Sequence, residues 1–179
     1  QAIPDVYERI RPRPASPFAQ ALRMALIDAA PEAAEDPVVV VLSPGIHSET
    51  AFDQAYLATV LGFPLVESAD LVVRDGKLWM RSMGTLKQVD VVLRRVDAEY
   101  VDPLDLRPGS RLGVAGLVEA QRRGSVAVVN SMGSGILESA GLQRFLPDLS
   151  ELLLGEKPLL DCPASFWAGI DKERSRVKG

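Results

Sequence analysis

The chain has 179 residues, of which 47% are hydrophobic and 25% charged, with a net charge of −4 and a pI near 5.1. That length supports one domain with a sizeable core and is too short for two large ones. The acidic balance argues against a general nucleic-acid surface, which needs a basic face. No apolar stretch approaches the ~18 residues of a membrane span, and one histidine with one cysteine excludes a His/Cys zinc site. The lone Cys162 has no partner for an internal disulfide, and Arg9, Arg11 and Arg13 break any signal-peptide layout. Both features point to a reducing cytoplasm.

Residues 1–17 hold Pro4, Pro12, Pro14 and Pro17 and read as a linker or a surface tail. From Phe18, Leu22, Met24, Ala25, Leu26 and Ala29 recur at helical spacing. Ser16 is a candidate cap and Pro17 a first helical residue, and Pro31 with the acidic stretch to Asp36 ends the helix. VVVVLSPG is apolar on both pleat faces through Leu42, the mark of a strand covered on both sides in a parallel sheet. Thr50 to Leu61 reads as a helix closed by Gly62, so a βαβ unit begins here.

Pro64 to Glu67 is a short second strand. Around Arg74-Asp75-Gly76-Lys77, two alternating runs predict a hairpin through the Asp-Gly turn, set as an edge or flap on the parallel sheet. VDVVLRRV from Val89 is another buried strand, Leu112 to Arg123 a helix stopped by Gly124, and SVAVVN a third buried strand. Ile136 to Leu154 reads as one or two helices with a break at Pro147, and the tail from Glu156 as irregular. Trp79 is expected on the hairpin face, and Phe166 and Trp167 as anchors of the tail to the core or to further polypeptide. This order predicts an α/β, Rossmann-like, three-layer domain over 18–155, with a mostly parallel sheet plus a β-hairpin, flanked by tails at 1–17 and 156–179.

In open α/β sheets ligands bind beyond the carboxyl ends of the strands. Three buried strands end in polar loops there: Ser43 to Thr50, Arg94 to Pro103, and Asn130 to Ser139. In the third, Gly133 and Gly135 permit close backbone approach, and Ser131 and Ser134 offer hydroxyls and amides at an expected helix N-terminus that would favour an anion. The same residues also suit an ordinary capped turn. The loop is neither a Walker A loop nor the dinucleotide fingerprint. Arg94 and Arg95 end a strand and point to opposite faces by alternation, so one could grip a carboxylate or phosphate bidentately. Equally, either could pair with Asp97, Glu99 or Asp102 to hold the loop. His47, a lone loop histidine, reads as solvated, with no G-x-S-x-G elbow to support a triad, and Cys162 reads as structural or incidental.

Taken jointly, VVVVLSPGIHSETAFDQAYLATVLGFPLVESADLVVRDGKLWMR, VDVVLRRVDAEYVDPLDLR, GVAGLVEAQRRGSVAVVNSMGSGILES and FLPDLSELLLGE carry a family likeness over roughly residues 5–169. The chain resembles the circularly permuted type 2 ATP-grasp proteins of bacteria, relatives in fold of glutathione synthetase and glutathionylspermidine synthase. The resemblance implies an ATP-dependent ligase that activates a carboxylate as an acyl phosphate for attack by an amine or thiol. This chain would be its pre-ATP-grasp-like, substrate-side domain. By the same resemblance, Arg94 or Arg95 with Asp97, and Asn130 with Ser131, Gly133, Ser134 and Gly135, face the substrate. The first loop adds Ser43, Gly45 and Glu49, of which Glu49 matches a family glutamate.

Ser48 stands where members often carry Asn, and Ala98 where they carry an acidic residue. The SFWAG tail matches a segment usually richer in Trp and Cys. No lysine pair for ATP phosphates and no Glu-x-Asn metal pair is found, so ATP and magnesium are expected only in a longer parent protein. Expected partners are a small carboxylate or peptide-like substrate and the remaining ATP-grasp domain of that parent, with oligomer formation open and neither nucleic acid nor membrane expected. A non-catalytic α/β interaction module and a free-standing nucleotide-binding domain stand as alternatives.

Overall fold

A computed structural model describes residues 4–177. The chain divides into two compact units, one ending at Ser131 and one beginning at Met132. In chain order the first holds α1 (Pro4–Ile10), α2 (Ser16–Asp28), β1 (Val39–Leu42), α3 (Ala51–Leu61), β2 (Leu65–Val66), β3 (Leu71–Arg74), β4 (Lys77–Ser82), β5 (Thr85–Val89), β6 (Val91–Arg94), α4 (Leu117–Arg122) and β7 (Ala127–Val129). The second holds two short 3-10 helices, Ser134–Glu138 and Leu142–Arg144, then α5 (Leu146–Leu154) and α6 (Asp171–Val177).

A four-stranded sheet in the order β2-β1-β6-β7 forms the centre of the first unit, and every pairing in it is parallel. β1 and β6 sit in the middle because they are apolar at nearly every position and buried on both faces. Their register runs from Val39 opposite Val91 to Leu42 opposite Arg94. Val39, Val41, Val91 and Leu93 pack with Leu26 of α2 and with Ala58 and Leu61 of α3. Val40, Leu42 and Val92, on the other pleat face, are equally buried. The apolar residues available to cover that side are the buried ones of α4 (Leu117, Val118, Ala120) and of the second sheet (Leu71, Leu78, Val89). Each fully buried valine or leucine contributes about 1.5–3 kcal/mol, so this double coverage is the main force holding the layers together. The architecture is the expected α/β one with a mostly parallel sheet.

The predicted hairpin is present, with Asp75 and Gly76 both at positive φ in the two-residue turn. It is not a flap on the parallel sheet. A second two-residue turn, Met83-Gly84, returns the chain into β5, giving a separate antiparallel sheet β3-β4-β5 inserted between β2 and β6. Asp90 joins the two sheets. Its buried carboxylate accepts hydrogen bonds from the Val38 amide and the Gln88 side chain, both at 2.9 Å.

Proline placement explains two further departures, at Pro4 and Pro147, and agrees with expectation at Pro17. Pro4 opens α1 within the stretch expected to be a linker, Pro17 lies in the first turn of α2, and Pro147 lies in the first turn of α5 instead of breaking a helix. At these positions the missing N–H has no partner to lose. Ser16 makes no side-chain cap. The helix expected from Leu112 begins only at Leu117, because residues 112–116 lie along the backbone of Tyr100 and Val101. There the Val114 amide donates to the Val101 carbonyl at 2.8 Å. Asp102, fully buried, reaches across to cap α4: it accepts from the Val118 amide at 3.0 Å and the Leu104 amide at 2.9 Å. Asp102 therefore does not pair with an arginine of the second loop.

In the second unit the tail is not wholly irregular. The Glu173 carboxylate accepts from the Arg144 guanidinium and from the Trp167 amide, each at 2.8 Å, which ties α6 to the turn at Leu142–Arg144. Trp167 meets Phe145 edge-on, with ring centroids 6.3 Å apart.

Candidate functional site

The chain leaves β1 toward β2 on one side and later returns to β6 on the other. The carboxyl ends of β1 and β6 are thus a topological switch point, where diverging connections leave a crevice in sheets of this class. A recess of about 460 Å³ opens there, lined by Pro44, Ser48, Glu49 and Thr50 after β1 and by Arg95, Asp97, Tyr100 and Leu112 on the other side. Its size suits a small molecule.

The first loop is held from below by buried polar groups. Ser43 donates from its hydroxyl to Gln54 Oε1 at 2.5 Å and accepts from the Gly45 amide at 3.0 Å. The Gln54 amide group donates in turn to Thr50 Oγ1 at 2.8 Å and Ser48 Oγ at 3.3 Å. Gln54 is 1% exposed and joins both ends of the loop to α3. Sequence reading overlooked it. Its signal is a glutamine on the same helical stripe as Ala58 and Leu61, the buried face of α3. Ser43 and Gly45 are buried, and the Glu67 carboxylate occupies the space that a side chain at Gly45 would need. Glu49 and Ser48 face the recess instead.

The two adjacent arginines separate sharply. Arg94 is still within β6, and its guanidinium turns inward. It donates to the Asn130 carbonyl at 3.0 Å, the Ser131 carbonyl at 3.3 Å and the Val96 carbonyl. It thereby binds the end of β7 to the end of β6, and Asn130 and Ser131 meet the second loop through their carbonyls. Arg95 is the first residue past the ladder. Its amide donates to the Leu42 carbonyl at 2.9 Å while its side chain is exposed and lines the recess. Among the described residues Arg95, Asp97 and Glu49 make no ion pair. Glu99 is taken by Arg107, 3.3 Å away, and Arg107 also lies over the Tyr100 ring at 4.5 Å.

Gly133, Ser134 and Gly135 belong to the second unit. They do not open an α-helix as expected. Ser134–Glu138 is a five-residue 3-10 helix that ends in extended backbone at Ser139, too short to give the anion-attracting terminus foreseen for it. His47 is exposed, and Cys162 is half-buried in the second unit.

Among the described residues no group of three or more His, Cys, Asp or Glu side chains is placed to hold a metal ion. Lys77 and Lys87 do stand on strands β4 and β5, but neither lines the recess, and Lys77 donates to Gln88 at 3.3 Å. No described helix is long and apolar enough to cross a membrane.

Residues 1–178 match the family described as a circularly permuted ATP-grasp. The chain belongs to that family. A Mycobacterium tuberculosis relative, called only an uncharacterized protein, is 76% identical over 176 residues, covering 98% of this chain and 20% of the relative. Uncharacterized proteins of Synechocystis sp. and Mycobacterium leprae are 38% and 37% identical over 98% and 99% of the chain, which covers 36% and 32% of their lengths. This ATP-grasp chain thus spans about a fifth to a third of the curated relatives it matches.

Proposed function

We propose that this chain is the substrate-binding portion of an ATP-dependent carboxylate–amine or carboxylate–thiol ligase, and that the recess between the β1 and β6 loops holds the substrate. One observation carries the reading. A guanidinium (Arg95) and two carboxylates (Glu49 and Asp97) face a single recess at the switch point without pairing to one another. Opposite charges held apart on a common rim complement a ligand that itself carries both signs. An amino acid or peptide-like molecule meets that demand: its carboxylate lies on Arg95, bidentately, and its ammonium toward Glu49 or Asp97. In this reading the chain's role is to bind and orient, so that the reacting carboxylate or amine is presented at high effective concentration. In this reading phosphoryl chemistry with ATP and magnesium falls to the further polypeptide that the longer relatives carry.

The test is a calorimetric and NMR titration of the chain with amino acids, dipeptides, their N-acetyl and amide derivatives, and ATP. Shifts should concentrate at residues 43–50 and 95–100. Arg95→Ala should weaken zwitterion binding about tenfold to a hundredfold, the value of a charge-assisted pair of about 1.5–3 kcal/mol, with stability unchanged. Shifts confined to other surfaces, or saturable ATP binding in this recess, would overturn the reading in favour of an interaction module or a nucleotide-binding domain respectively.

A further inference from the structure

The second unit carries an apolar surface that its own residues leave open. Leu142, Leu146, Leu149 and Leu153 recur at spacings of four, three and four, so they form one stripe along α5 and the turn before it. Opposite them, Pro158, Leu159 and Leu160 form a second wall, and a groove of about 780 Å³ lies between. Leu153 is 74% exposed, Leu159 101% and Leu160 83%. A unit of fewer than 50 residues gains little by leaving such side chains in water when it could fold them inward, and contiguous apolar patches of this kind mark docking surfaces.

We infer that this groove is covered by an apolar helix face contributed by the polypeptide that the longer ATP-grasp relatives carry outside the matched segment. One observation selects that occupant over a second copy of the chain. A relative at 37% identity matches 99% of this chain inside a protein roughly three times as long, so the matched segment there is tethered to further polypeptide. A tethered partner competes at an effective concentration in the millimolar range, well above any separate copy. The groove also has a form that can receive a helix: an a/d-type leucine stripe on one side and an apolar wall from Pro158 to Leu160 on the other.

The remainder of the 76%-identical mycobacterial relative, expressed without the matched segment, is the partner for the test. Mixed with this chain, it should form a complex and protect residues 146–160 from hydrogen exchange. It should also displace a hydrophobic dye from the chain. Leu153→Asp combined with Leu160→Asp should weaken the complex at least a hundredfold. Both positions are exposed, so Trp167 fluorescence and the exchange pattern of α6 should stay unchanged and report an intact second unit. A complex of undiminished affinity, or protection mapping away from 146–160, would overturn the inference. So would the absence of any complex, and so would a homodimer of the chain alone that the double variant dissociates, which would assign the groove to a second copy.

Discussion

Gly113→Ala is expected to cost about 3 kcal/mol or more, enough to lower the melting temperature by at least ~10 °C or to leave the first unit unfolded. A Cβ at this position would lie 2.1 Å from the Val101 carbonyl oxygen and 2.2 Å from the Tyr100 carbonyl oxygen. Neither can yield cheaply, because both are backbone atoms already engaged. The Val101 carbonyl accepts from Val114 at 2.8 Å, and the Tyr100 carbonyl from the Ser110 hydroxyl at 2.6 Å. The consequence reaches the site, since Tyr100 and Leu112 both line the recess and this close approach is what sets them side by side. Any folded fraction of the variant should therefore lose ligand binding as well. Gly133→Ala and Gly135→Ala provide the contrast: a Cβ at either meets nothing within 4 Å, and stability should change by no more than about 0.5 kcal/mol. Urea unfolding of the three variants checks the ranking, and an unchanged midpoint for Gly113→Ala would contradict it.

What the sequence displayed depended on whether a physical signal was strong within a short window. Val39–Leu42 and Val91–Arg94 were legible because a strand buried on both faces is apolar at nearly every position, with Arg94 the one exception at the end of the second. The convergence of the first two loops followed from parallel topology alone. β5 was not legible: Leu86 is exposed, Lys87 and Gln88 are polar, and its entry turn places Met83 at φ 46 where Asn or Asp would have announced it. α1 was hidden because a proline reads as a breaker, although at a helix start it is harmless. The boundary after Ser131 was missed although it falls in the Ser- and Gly-rich run 130–135, because the same composition also suits a ligand-binding loop. Gly113 showed no sign of its role, because close contact between segments distant in sequence cannot be read from either one. The roles of Arg94 and Arg95 were also undecided, because alternation says that they differ in face and not which face is inside.

That last distinction yields the second large effect. Arg94→Ala is expected to lower the unfolding free energy by about 3–5 kcal/mol while changing ligand affinity far less than Arg95→Ala does. Arg94 is 9% exposed, and its guanidinium donates to carbonyls of Val96, Asn130 and Ser131. Truncation leaves those acceptors facing a cavity, at about 1–3 kcal/mol for each that stays unsatisfied, and removes the link between the ends of β6 and β7. Arg94→Lys should recover only part of the loss, because a single ammonium cannot reproduce the planar fork that spans three carbonyls. Urea unfolding gives the stability. Hydrogen exchange at 127–131 should accelerate in Arg94→Ala and stay at its wild-type rate in Arg95→Ala. Titration with a zwitterionic ligand at low temperature, where both variants remain folded, should show the reverse order of damage. If Arg94→Ala proved as stable as the parent but unable to bind, the inward guanidinium would be a ligand group after all, and the recess would have to be redrawn around β7.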